Sequence, residues 1–162
     1  MPKFVSNTIQ VHVAAWVEHL QQYNYLALRR ASTDPLYPGL WQAITGTIEP
    51  SETAIACAFR EVQEETGLTP KEIWTIPFVA VFFDPYKDEV NASPVFGVAV
   101  DFNPQISISR EHDDYKWLTL KQFIEVVELP SHKIGAQYFW DYILSKENKT
   151  MFKYKTSYLD MQ

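Results

Sequence analysis

From Glu52 to Thr66 the chain runs without glycine or proline, and Gly67 stands where a helix C-terminal cap would be. Ile55, Ala58, Phe59 and Val62 recur at spacings of three and four, a stripe that a helix turns toward a core. Glu61, Glu64 and Glu65 fall on one further patch of the same helix, because residues three and four apart share a face. Whatever this chain folds into must accept a helix that is apolar on one side and densely anionic near its C-terminal end.

That patch is costly as it stands. Like charges one turn apart on an exposed helix disfavour each other by about 0.2–0.5 kcal/mol per pair. The helix macrodipole disfavours anions at the same end. A hard divalent cation would relieve both, since such ions prefer carboxylate oxygens. A solvated charged face accounts equally well for an isolated E-x-x-E-E string, so the flanking residues must decide.

The rest of the chain frames this helix with strands. Thr8 to Val17 alternates at its start and predicts a strand with one face buried. Tyr25 to Arg30 predicts its hairpin partner, and Ala31 to Gly39, with two prolines and a glycine, a loop. Leu40 to Ile48 reads as a short extended segment. Ile73 to Phe83 and Pro94 to Phe102 read as strands joined through a polar loop, Asp84 to Ser93. Tyr115 to Leu118 predicts a short strand, and Leu120 to Val127 and Ile134 to Lys146 predict helices. Residues 147–162 show no period and are expected to be a loose tail. With 162 residues and no linker or repeat, the order of elements predicts one α+β domain, a mixed sheet flanked by helices in an α/β/α sandwich.

Composition narrows the function classes. No run of eighteen apolar residues is present, and the first residues lack the apolar stretch of a secretory signal. The single cysteine, Cys57, fits a reducing cytoplasmic setting and reads as a small buried hydrophobe. A formal net charge of -6 argues against a broad electrostatic grip on nucleic acid. It leaves small phosphorylated substrates open, because a bound cation turns an acidic pocket into a phosphate receptor.

Gly46, Glu52, Arg60-Glu61-Val62, Glu64-Glu65 and Gly67-Leu68 together match G-x5-E-x7-R-E-U-x-E-E-x-G-U, with U a bulky aliphatic residue, at every specified position. The chain therefore resembles the Nudix hydrolases. The resemblance implies a mixed β-sheet between helices, with residues 46–68 forming a loop–helix–loop. It implies hydrolysis of a nucleoside diphosphate linked to another group, with Mg²⁺ (or Mn²⁺) held by Glu61, Glu64 and Glu65 close to the Gly46 backbone. Glu52 and Arg60 take an orienting role, and a carboxylate accepts the proton of the attacking water. The run Glu111-His112-Asp113-Asp114-Tyr115-Lys116-Trp117-Leu118 resembles an E-H-x-x-Y-K-W-L segment of several Nudix subfamilies. By that likeness Glu111 is a further metal ligand or the base, with Glu61 the alternative base.

Leu40 to Glu49 (LWQAITGTIE) resembles the F-W-Q-x-V-T-G-x-V-E run of bacterial dihydroneopterin triphosphate pyrophosphohydrolases, which also act on dATP-like nucleotides. This implies a pterin or nucleoside triphosphate as substrate, cut to pyrophosphate and a monophosphate. Trp41 is suited to stack on the heterocycle, and Gln42 and Thr45 to bond its edge. Arg29 or Arg30 is suited to hold distal phosphates. Dinucleoside polyphosphates, nucleotide sugars and RNA 5′ ends are the alternative substrates. A non-cleaving ligand sensor of the same fold would show a degraded box, and this box is complete. A monomer or a homodimer is expected.

Overall fold

In the computed structural model, which describes residues 1–155, eight strands form one sheet with helices on both faces. The strands are β1 (Lys3–Val5), β2 (Thr8–Val17), β3 (Gln22–Arg30), β4 (Trp41–Gln42), β5 (Ile44–Thr47), β6 (Glu72–Asp84), β7 (Glu89–Asp101) and β8 (His112–Leu118). The helices are α1 (Ala54–Thr66), α2 (Leu120–Val126) and α3 (Pro130–Phe139); α3 continues into a wider π-turn, Trp140–Leu144. Antiparallel pairs β2–β3, β2–β5, β3–β4, β3–β8 and β6–β7 are joined by parallel pairs β2–β7 and β1–β7, so the sheet is mixed.

Strand β2 lies at the centre, and both of its faces are covered. Ile9, Val11, Val13 and Ala15 pack with Cys57, Ala58 and Val62 of α1. Ala14 faces the other layer, with Phe123 of α2 and Ala136 and Phe139 of α3. The expectation of one buried face is corrected: every residue from Ile9 to Ala15 is buried, polar Gln10 and His12 included. Gln10 is accommodated by hydrogen bonds, one of them to His12 Nε2, while His12 Nδ1 is buried without a partner. The Gln10 amide donates to His12 Nε2 (2.7 Å) and to the Ser131 carbonyl (3.0 Å), while the Ala43 N–H donates to His132 Nδ1 (3.0 Å). Gly135 allows this approach, because a Cβ there would overlap the His12 ring.

Several boundaries differ from the sequence reading for identifiable reasons. The polar loop expected over Asp84 to Ser93 shrinks to a tight turn, since β6 and β7 stay paired out to Asp84 and Glu89. Helix α3 starts earlier than expected, with Pro130 in its first turn, where a missing N–H costs nothing. The tail expected to be loose over 147–162 is docked in part. The Trp74 indole donates to the Lys149 carbonyl (2.7 Å), and the Thr75 and Tyr154 amides pair across with Phe152 and Ile73 (both 2.9 Å). Residues 156–162 lie outside the described residues. No helix is long and apolar enough to cross a membrane among the described residues.

Burial holds His132 down to about 4 and His112 down to about 4, and lowers His12 well below its ordinary value. The unfolded chain takes up these protons near the usual histidine range, while the folded chain resists them. Stability contributed by the neutral imidazoles is therefore present above about 6.5 and is lost as pH falls toward 4. Urea unfolding from pH 7 to 4.5 should show this decline. The variant His132→Asn, which keeps an acceptor for the Ala43 N–H, should show a shallower one.

Candidate active site

Helix α1 is placed by its two ends. The Thr53 side chain accepts from the Ala56 N–H at the N-cap, and Gly67, with φ of 69°, closes the C-terminus by donating to the Gln63 carbonyl. Its apolar stripe packs on β2 and β7, which turns Arg60, Glu61 and Glu64 toward the segment after β5.

Arg60 is the hub. Its Nε and Nη2 donate to both oxygens of Glu52 (2.8 and 2.9 Å), a two-pronged contact across the loop before the helix. Nη1 donates to Glu61 (2.9 Å) and Glu64 (3.1 Å), and Nη2 also reaches the Thr47 carbonyl (3.1 Å). Hydrogen bonding from Arg60 holds the Glu52 carboxyl down to about 2, and the same contacts raise Arg60 further. The expected orienting pair is thus present, and it extends to two of the proposed ligands.

Gly46 has a direct steric reason. A Cβ at this position would overlap the Glu61 side chain, so the absence of one lets Glu61 lie against the β5 backbone. Burial raises the Glu61 carboxyl. Glu65 is buried far more deeply, 3% exposed, and one of its oxygens has no hydrogen-bond partner. Burial, then the charges of Glu61 and Glu111, push it up to about 9. Glu111 sits in the exposed turn before β8, close enough to Glu61 and Glu65 to be felt by both.

These residues suit a hard cation by donor type, and by the burial that disfavours negative charge on Glu61 and Glu65 until a cation offsets it. As they stand, no three carboxylate or imidazole groups among the described residues gather around one point, because Glu61 and Glu64 are turned onto Arg60. Rotation of those two side chains off the guanidinium is what a bound ion would require.

The residues expected to bind substrate are divided by strand alternation. Trp41 and Ala43 belong to the α2/α3 side of the sheet, and Thr45, opposite Gln10, follows them. Gln42 points to the α1 side and is 3% exposed, its amide engaged with His112 and Arg30. It is thereby withdrawn from a ligand's edge. Trp41 is half-buried, with the Lys116 ammonium 4.7 Å and the Arg29 guanidinium 5.7 Å from its ring centre. Arg29 is paired with Asp113 (2.6 Å) and Asp114 (3.7 Å), and Arg30 with Asp34 (2.8 Å). Both arginines are therefore neutralised within the chain. The acidic run Asp113-Asp114 was the available signal for this pairing. Cys57 is buried beside the Thr47 carbonyl, and burial pushes its thiol up to about 12, which makes it inert.

The NUDIX domain model matches residues 8–139. The mouse asymmetrical bis(5′-nucleosyl)-tetraphosphatase is 25% identical over 99 residues, covering 60% of this chain and 67% of that protein. The Escherichia coli nucleoside triphosphatase NudI (strain K12 / DH10B) is 29% identical over 101 residues, covering 58% and 72%. The structure of the E. coli dihydroneopterin triphosphate pyrophosphohydrolase superposes with a TM-score of 0.65 at 25% identity, covering 83% of this chain and 97% of that one. The chain belongs to the Nudix family, and with the box intact it is a Nudix-type pyrophosphohydrolase. Enzymes of this family generally work with a divalent metal ion.

Two outcomes follow from the geometry. Gly46→Ala should displace Glu61 and lower turnover at least tenfold, about 1.4 kcal/mol in the barrier, with the circular-dichroism spectrum unchanged. A proton held by folded Glu65 up to about 9, but lost near 4.5 on unfolding, makes the metal-free protein less stable as pH rises through that window. Glu65→Gln should flatten the decline in melting temperature between pH 6 and 9; an identical slope in both proteins would refute the assignment.

Proposed function

We propose that the protein uses Mg²⁺, with Mn²⁺ as a substitute, to hydrolyse a diphosphate linkage in a small nucleoside- or pterin-triphosphate-like substrate, releasing pyrophosphate and a monophosphate. The observation that carries this reading is that Glu61 lies against Gly46, whose missing side chain opens room at the backbone, with Glu64 and Glu65 on the same helix and the charge of Glu111 felt by Glu61 and Glu65. Likeness to the E. coli dihydroneopterin triphosphate pyrophosphohydrolase and to NudI supports a triphosphate as substrate.

Glu61, Glu64 and Glu65 would hold the ion, with Glu111 reaching in from the opposite loop. The chemistry a bound ion would supply there is neutralisation of phosphate charge. Arg60 keeps Glu52 fixed, while Glu61 and Glu64, bonded to Arg60, would turn from it toward the ion. Glu111 spends no oxygen on Arg60 and faces water, so it is the carboxylate placed to accept the proton of the attacking water. Trp41 and Thr45 remain on a half-buried face for the heterocycle, with Arg29 near the ring.

A dinucleoside polyphosphate is the second reading, favoured by the mouse tetraphosphatase. A substrate panel with Mg²⁺ separates the two. Dihydroneopterin triphosphate or a dNTP should give pyrophosphate and a monophosphate, whereas a dinucleoside polyphosphate should give nucleotide products alone. Nucleotide sugars complete the panel, and no hydrolysis of any member would refute the proposal. Glu111→Gln should lower kcat by roughly 10²–10⁴ with little change in KM, as loss of a general base does.

A further inference from the structure

His112 lies between the carboxylate helix and the strand that carries Trp41 and Gln42. Its Nδ1 is 3.7 Å from Glu65 Oε2, and each of these atoms is buried without a hydrogen-bond partner. On its other side, His112 Nε2 is 3.4 Å from the Gln42 amide nitrogen. The Gln42 carbonyl oxygen in turn accepts from Arg30 Nη1 (3.4 Å), and Arg30 Nη2 is anchored on Asp34 (2.8 Å).

The hydrogen-bond directions in this row agree with one another. Arg30 can only donate, which turns the Gln42 oxygen toward it and the Gln42 N–H₂ toward the imidazole. His112 Nε2 must then accept, so the ring proton sits on Nδ1, the nitrogen facing Glu65. The row therefore ends in a donor aimed at a buried carboxylate oxygen, one short adjustment away from a hydrogen bond. Four separate elements supply it: β3, β4, β8 and α1. Two backbone contacts brace the ends, Ser109 N–H to the Glu65 carbonyl (3.1 Å) and Ala31 N–H to the Glu111 carbonyl (2.9 Å).

We propose that His112 is a positioning residue, held by Gln42 and Arg30 in the tautomer that donates to Glu65, and that it fixes one oxygen of Glu65 so that the other is presented to the metal. This rests on the reading of Glu65 as a ligand given above. A partner that orients a ligating carboxylate typically contributes 10- to 100-fold to metal affinity. Buried Gln42 thereby has a task other than contact with the heterocycle.

The test is Mn²⁺ binding to the substrate-free protein, followed by titration calorimetry and by the paramagnetic signal of free Mn²⁺. His112→Phe keeps the buried volume and removes both ring nitrogens; its Kd should rise roughly 10- to 100-fold. His112→Asn places an amide N–H near the Nδ1 position, and its Kd should stay close to that of the unaltered protein. Gln42→Leu leaves α1 untouched but frees the tautomer, and should raise the Kd by less than His112→Phe. A folded His112→Phe with unaltered Mn²⁺ affinity would overturn the proposal, as would His112→Asn binding as weakly as His112→Phe. If His112→Phe does not fold, Gln42→Leu with unaltered Mn²⁺ affinity, or His112→Asn with a Kd raised roughly tenfold or more, overturns the proposal. Glu65→Gln separates this inference from the functional reading. If Glu65→Gln loses Mn²⁺ while the His112 variants keep it, only the role of His112 fails; if Glu65→Gln binds Mn²⁺ normally, the ligand assignment fails and takes this inference with it.

Discussion

The two-pronged contact between Arg60 and Glu52 is the constraint on which the site depends. It ties the second turn of a helix to the loop that precedes that helix. The same guanidinium holds the Thr47 carbonyl at the end of β5. Strand, loop and helix are thereby fastened at one point, and the spacing of Gly46 from Glu61 follows from it. The pairing is only moderately exposed, so water screens it less than a surface ion pair. Fixed positive charge at the centre also offsets the charges of Glu52, Glu61 and Glu64 without an ion already in place.

Around that point the sheet supplies two independent cores. The α1 side is mainly aliphatic at its centre, built from β2, β7 and the stripe of the helix, and it sets the depth at which Glu65 is buried. The α2/α3 side is aromatic, with Tyr25, Trp74, Phe123 and Phe139 in edge or tilted contacts. It carries the buried Gln10–His12–His132 group. Because β4 and β5 alternate between these sides, one short strand contributes Gln42 to the acidic side and Trp41 to the other.

The features legible in the sequence were those set by local spacing. The helix, its glycine cap, and the partnership of Arg60 with Glu52 and the acidic cluster follow from fixed intervals along one helix and its entry loop. What depends on strand pairing was not legible. The burial of Gln10 and His12 comes from β2 being sandwiched between two helical layers, and polar side chains disguised it. Trp41 and Gln42 read as neighbours on one binding surface, yet a strand sends adjacent side chains to opposite faces. The contact of His112 with Glu65 joins residues far apart in the chain, and no local pattern announces it. Parallel pairing of Lys3–Val5 with β7, and docking of the segment after Ser145 onto Trp74, are equally non-local.

The register of β8 against β3 changes at Arg29 and Arg30, which face Asp114 and His112 and leave Asp113 unpaired. This one extra residue decides which side chain of β8 stands opposite Arg30. Without it, the residue opposite Arg30 would be Asp113, and a carboxylate would be carried inward where the imidazole now sits. It would then meet Glu65 in a setting that already disfavours one negative charge. With the bulge in place, Asp113 stays at the surface and bonds Arg29 instead. Misregistered pairing of these strands thus meets its electrostatic penalty at the very spot where the acidic site is built.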